Sequence, residues 1–231
     1  MPDIDAVLLD IEGTLSSQAF VVGTLFAYAR NHLPDFVAAH AHEPEVAQIL
    51  DETRALTSPG ESSVATLLRW IDEDRKVAPL KALQGMIWEQ GYEAGALSGH
   101  IFPDALDALR RWHAAGVPLH IFSSGSVQCQ VGFFRRVPQG DLRSLFGRHF
   151  DLGIGPKIEA SSYSRIAAAL DIVPARLLFF SDHARELVAA RAAGLHVVQV
   201  IREQTAPDPR FAQIRSFDEY DLFGSTAAQV G

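Results

Sequence analysis

From about residue 101 onward, short apolar runs alternate with amphipathic stretches, and this alternation restricts the fold more than any other property of the chain. Residues 103–115 place Leu106, Leu109 and Trp112 on one side of a helix, with Pro103 near its start and Gly116 as its stop. Residues 117–122 then read as a strand running into Ser123-Ser124-Gly125-Ser126. A short strand is expected at 150–154, ahead of Gly155-Pro156-Lys157. Tyr163, Ile166, Ala167 and Leu170 mark the next helix at spacings of three, four and seven. Residues 176–180 form another apolar strand, ending on Ser181-Asp182. A helix through 186–193 stops at Gly194, and 196–201 supplies a further strand. Strands apolar on both faces and alternating with helices imply a parallel sheet covered on both sides.

The first strand lies far upstream, in the run Ala6-Val7-Leu8-Leu9. Between residues 16 and 99 the texture changes and no strand is recognisable. Residues 20–33, 43–56, 63–73 and 80–93 each show helical spacing of apolar residues, with breaks at Pro34, Thr57-Ser58-Pro59-Gly60 and Pro79. The expected fold is therefore α/β: a Rossmann-like parallel-sheet core from residues 1–15 and 101–231, with an inserted all-helical domain at 16–100. An insert placed there would sit above the carboxyl end of the first strand, where ligands bind in open parallel sheets, and so reads as a substrate-selecting cap. Hinges are expected near 14–17 and 99–103, and residues 225–231 are expected to be loose.

Composition narrows the function. The chain has 231 residues, 48% hydrophobic and 21% charged, as in an ordinary globular protein. Its formal net charge of −8 disfavours nucleic acid and anionic membranes as general partners. The lone Cys129 excludes internal disulfides and Cys-rich metal sites. Asp3 and Asp5 stand where a signal peptide would be basic, and no apolar stretch approaches the ~18 residues of a membrane span. A cytoplasmic location follows as the expectation. No long apolar stripe is left over after the helices are assigned, so a monomer is expected.

Four apolar strands end in polar residues suited to phosphate chemistry. The first ends on Asp10-Ile11-Glu12-Gly13-Thr14, where the period of two puts both carboxylates on one face at the strand tip. Two such acids repel unless a cation or a shared proton offsets them, an arrangement suited to a nucleophile beside a proton shuttle. The second strand brings Ser123 and Ser124, whose hydroxyls and adjoining N–H groups can hold phosphoryl oxygens. Lys157 follows the third and can neutralise developing negative charge. Asp182 follows the fourth and can complete a hard-cation site with Asp10; Glu186, four residues on, reads as a surface carboxylate or a group behind the metal or Lys157. Taken singly, these are ordinary turn, loop and N-cap residues. Their succession at four strand ends carries the reading.

In that order the four pieces resemble the haloacid dehalogenase superfamily of phosphohydrolases. With Glu at the second acidic position, Asp-Ile-Glu-Gly-Thr is typical of its enolase-phosphatase E1 (acireductone synthase) branch. Asp72-Glu73-Asp74-Arg75-Lys76, Leu80-Lys81-Ala82-Leu83-Gln84-Gly85, Gln90-Gly91-Tyr92, Gly99-His100 and Phe122-Ser123-Ser124-Gly125-Ser126-Val127 are similar to that branch as well. The resemblance covers nearly the whole chain.

It implies a methionine-salvage enzyme that enolises 2,3-diketo-5-methylthiopentyl-1-phosphate and then removes its phosphate, giving the acireductone 1,2-dihydroxy-3-keto-5-methylthiopentene. Asp10 is then the nucleophile that forms an aspartyl-phosphate, and Glu12 the acid and base. One Mg²⁺ per subunit is expected on Asp10, the Glu12 backbone carbonyl and Asp182, with Ser123, Ser124 and Lys157 on the phosphate. The enolisation base stays open between Glu12 and a carboxylate of the cap. Another small phosphate ester as substrate is the nearest rival; a catalytically silent binding module of the same fold is a second. A dehalogenase would leave Glu12 and Asp182 without a purpose.

Overall fold

The computed structural model describes residues 3–223; residues 225–231, expected to be loose, lie outside the described residues. The described residues form a six-stranded parallel sheet of β1 (Ala6–Leu9), β2 (Leu119–Phe122), β3 (Arg148–Phe150), β4 (Leu177–Ser181), β5 (His196–Val200) and β6 (Ala212–Ile214), in the spatial order β3-β2-β1-β4-β5-β6. The helices are α1 (Gln18–Phe20), which runs through a π-helical stretch at Val21–Phe26 into α2 (Ala27–His40), then α3 (Pro44–Ala55), α4 (Ser63–Asp72), α5 (Ala78–Glu93), α6 (Pro103–Ala114), α7 (Val127–Arg135), α8 (Ala160–Leu170) and α9 (Ala184–Ala192).

β4 explains why the sheet needs cover on both faces. Its adjacent Phe179 and Phe180 point to opposite sides and are fully buried. Phe179 meets Tyr163 of α8 at 5.2 Å between ring centroids, in a cluster with Leu8, Phe122, Ile166 and Leu187. Phe180 stacks on Trp112 of α6 at 5.6 Å and also meets Phe217 at 5.2 Å. Burial of this size on each face stabilises by roughly 1.5–3 kcal/mol per large apolar side chain. The chain leaves β1 for β2 on one side and later returns to β4 on the other, so the strand order reverses at β1. A crevice at the carboxyl ends of the strands follows from that reversal.

The chain divides into two compact units. One comprises residues up to Gln18, His100–Ser124 and the chain from Asp141; the other comprises Ala19–Gly99 and Gly125–Gly140. The second is helical around Leu33, Phe36, Ile49, Leu67, Trp70, Leu83 and Ile87. Residues 125–140, read from sequence as core, cluster with these helices. The reason is α7: Gln128 Nε2 donates to Glu89 Oε2 at 2.7 Å, and Gly85 lies so close to Cys129 that a Cβ there would come within 2.8 Å of its Sγ.

Two local expectations need correction, and one strand is additional. α2 runs through Pro34 rather than ending at it, because Leu33, Phe36 and Val37 are buried on its inner face and offset the lost backbone bond to Arg30. β3 lies at 148–150, not 150–154; Asp151 turns the chain by accepting the Gly153 N–H at 2.8 Å. β6 was not anticipated: it is a three-residue edge strand with two exposed positions.

His120 of β2 offers a test of the sheet. Its buried Nδ1 accepts the Arg148 N–H at 3.0 Å, so that nitrogen carries no proton. Burial, with Arg148 and His149 nearby, lowers the imidazole to about 4. Its contribution is complete above the ordinary value near 6.5 and is lost as pH falls toward 4, where the unfolded chain binds the proton first. His120→Asn keeps the acceptor without titrating. Between pH 7 and 4 the wild type should lose on the order of 2 kcal/mol more unfolding free energy than this variant, measured by denaturant melts.

Candidate active site

The ladder sets the level of every strand tip. Leu9 pairs with Ile121 on one side and Phe180 on the other, so Asp10 lies level with Phe122 and Ser181, and Ser123 and Asp182 come one residue beyond. Past Asp10 the loop closes tightly: the Ile11 carbonyl accepts the N–H groups of Leu15 and Ser16 at 3.0 and 2.8 Å, and Gly13 N–H donates to the Ser16 carbonyl at 2.8 Å. Gly13 has φ +71°, and a Cβ there would lie 2.5 Å from Asp182 Oδ2. The backbone of the first motif therefore lies directly against the carboxylate of the fourth. Thr14 Oγ1 accepts the Asp182 N–H at 3.0 Å and reinforces the contact.

Lys157 enters from the segment after β3, its carbonyl held by the Tyr163 hydroxyl at 2.7 Å. Its buried Nζ lies 2.5 Å from Asp10 Oδ1 and 2.7 Å from Glu186 Oε2, with the Phe122 ring 5.6 Å beneath it. Glu186, in the first turn of α9, also accepts the Ser181 hydroxyl at 3.1 Å. Burial alone would lower the Lys157 ammonium, but the carboxylates of Asp10 and Glu186 outweigh it and hold the group above its ordinary value. Burial pushes Glu186 upward. Asp182 is raised to about 7 by burial first and then by the charges of Asp10 and Glu186.

All six residues singled out from sequence stand at these carboxyl ends. Asp10, Lys157 and Asp182 converge; Glu12 is half-buried and bridged through its backbone to Ser16; Ser123 and Ser124 are half-buried at the end of β2. Glu186, read from sequence as a surface carboxylate or a group behind the metal or Lys157, is the second partner of Lys157. Thr14 was quoted within the pentapeptide but given no place. For Glu186 the available signal was its place in the first turn of the helix that follows Asp182.

The carboxylates of Asp10 and Glu186 share one ammonium, and that of Asp182 stands near enough to both to be raised by their charges. Asp10 and Asp182 offer hard carboxylate oxygens, the kind of donor a magnesium ion prefers. Among the described residues no three His, Cys, Asp or Glu side chains form a metal cage. Two carboxylates and a backbone carbonyl require none.

A model of the haloacid dehalogenase-like hydrolase family matches residues 4–194. The chain belongs to that class of enzymes. The enolase-phosphatase E1 of Bradyrhizobium sp. (strain BTAi1) is 53% identical over 220 residues, 95% of this chain and 95% of its own length. That of Pseudomonas aeruginosa (strain LESB58) is 52% identical over 204 residues, covering 87% of this chain and 91% of its own. The crystal structure of the UTR4 protein of Saccharomyces cerevisiae superposes with a TM-score of 0.78 at 32% identity, over 94% of this chain and 100% of that one. Within the class, the chain belongs to the enolase-phosphatase E1 family.

Two glycines separate backbone strain from site geometry. Gly13→Ala and Gly60→Ala both force a side chain into a left-handed conformation, at about 1–2 kcal/mol each. A Cβ at Gly60 (φ +86°) meets open space, whereas at Gly13 it displaces Asp182. Both variants should melt at lower temperature. Only Gly13→Ala should lose hydrolysis of an aryl phosphate, by roughly 10–100-fold.

Proposed function

We propose that this chain hydrolyses a small phosphate monoester through a covalent intermediate on Asp10. The observation that carries the reading is the Lys157 ammonium 2.5 Å from Asp10 Oδ1, both side chains buried. It fixes the rotamer of the nucleophile and sets a cation where the phosphoryl oxygens arrive. Asp10 attacks phosphorus in line as the ester oxygen departs with a proton from Glu12; Glu12 then takes a proton from the water that opens the aspartyl-phosphate. Ser123 and Ser124 hold the remaining phosphoryl oxygens. Asp10, the Glu12 carbonyl and Asp182 would hold one Mg²⁺, which when bound supplies positive charge to the phosphoryl group.

The proposed substrate is 2,3-diketo-5-methylthiopentyl-1-phosphate, enolised before its phosphate leaves to give the acireductone of methionine salvage. Identity above 50% to proteins named enolase-phosphatase E1, across most of both chains, supports this choice over another phosphate ester. The helical unit is assigned the selection of that substrate. Among the described residues no helix is long and apolar enough to cross a membrane. We read the protein as a cytoplasmic monomer.

Asp10→Asn should abolish phosphate release, by at least about 10⁴-fold, since no other group supplies the attacking oxygen. Following the diketone by absorbance beside phosphate release should reveal an enol that precedes free phosphate. Phosphate without that intermediate, or faster turnover on a different metabolite phosphate, would replace the substrate and leave the phosphatase chemistry standing. A fully active Asp10→Asn protein would remove the nucleophile.

A further inference from the structure

Gln199 is a fully buried amide in the otherwise aliphatic end of β5, between Val198 and Val200. Burying an amide costs roughly 1–3 kcal/mol unless its polar atoms are paired, and a valine would fill the position without that demand. The partners of Gln199 show where it acts. Its Nε2 donates to the carbonyls of Asp182 and Ala206, each at 3.1 Å, and its Oε1 accepts the Asp208 N–H at 2.8 Å. The strand register brings Gln199 level with Ser181, so the Asp182 carbonyl lies within reach.

The other side of Asp182 is held as well. Its N–H donates to Thr14 Oγ1 at 3.0 Å, and the Thr14 carbonyl accepts from Arg202 Nε at 3.4 Å. Arg202 is fixed by Asp104 at 2.8 Å and lies 4.2 Å over the Phe102 ring. The peptide groups before and after the Asp182 Cα are thus both tied to side chains, which fixes the direction of its Cα–Cβ bond. That direction decides whether the carboxylate stays against Gly13 and beside Asp10.

We propose that Gln199 is a positioning residue that holds the Asp182 backbone so that its carboxylate and that of Asp10 share one divalent cation. This rests on reading Asp182 as a metal donor. A purely structural role would be to tether residues 206–208 to the sheet through the same amide, and it predicts lower stability with unchanged metal response.

The test compares Gln199→Met and Gln199→Val with Val200→Ala, which weakens the same strand without touching Asp182. Two quantities are read: the rise in melting temperature across an MgCl₂ titration, and the Mg²⁺ concentration for half-maximal hydrolysis of an aryl phosphate. Both Gln199 variants should need about 10–100-fold more Mg²⁺ in each measurement, as expected when a partner behind a metal ligand is lost. Val200→Ala should melt lower with the wild-type Mg²⁺ midpoints. Wild-type midpoints in the Gln199 variants would overturn the proposal, and either variant suffices if the other fails to fold. A wild-type protein whose melting and hydrolysis both ignore Mg²⁺ would instead remove Asp182 as a donor, and the proposal with it.

Discussion

Placing Asp10, Asp182 and Glu186 together away from water is expensive, because each ionised carboxylate loses hydration worth several kcal/mol. Lys157 offsets part of that cost by lying between Asp10 and Glu186, at 2.5 and 2.7 Å. It makes no ion pair with Asp182, whose carboxyl is raised to about 7 by burial first and then by the charges of Asp10 and Glu186. On the proposed reading, that uneven sharing of one ammonium is where an added divalent cation would act, since the substrate would bring further negative charge. A core of this kind holds only if its charged groups cannot relax apart. The rest of the sheet supplies that restraint.

The restraint comes from apolar packing as much as from polar bonds. Lys157 sits above the fully buried Phe122, and the Tyr163 hydroxyl fixes its backbone. Both rings belong to the cluster that covers one face of the sheet, where they meet edge to face at 5.5 Å. Weakening that cluster would let the ammonium drift from Asp10, so packing within the sheet bears directly on the Lys157–Asp10 pair. The topology does the remaining work. β1 and β4 are neighbours in space although some 170 residues separate them, and their pairing brings Asp10 and Asp182 to the same end.

Much of this was legible in the sequence. Strand tips at Asp10, Ser123 and Asp182 follow long apolar runs, and the helical texture of the insert is unbroken by β-branched alternation. What escaped reading did so for identifiable reasons. β3 is made of Arg148, His149 and Phe150, an edge strand whose pairing depends on backbone groups and leaves no apolar signature, while the apolar Leu152 that suggested a later strand is exposed. α7 was hidden behind a polar turn, although Ser126 is a proper N-cap that accepts the Cys129 N–H at 3.2 Å. Pro34 misled because a proline signals a break only when burial does not outweigh it. Spacing could bring Glu186 near Asp182 but left it open between the surface and a place behind Lys157, because tertiary geometry decides between the two.

Gln199 shows the same principle from the opposite side. A polar residue in a buried strand looks like a defect when judged by pattern, and an apolar substitute would seem to improve the core. Its three hydrogen bonds satisfy the amide, so the position is not strained, but those bonds are spent on backbone groups beside Asp182 and in the 206–208 segment rather than on the strand itself. Thr14 and Arg202 follow suit: a buried hydroxyl and a guanidinium used to fix main-chain atoms of the loops after β1 and β4. What they add is orientation, and orientation is what a carboxylate needs if it is to meet a cation at a ligand distance near 2.1 Å with little tolerance. Thr14, Gln199 and Arg202 are thus best understood as geometric constraints on the loops that carry the acids, held in place by the apolar sheet.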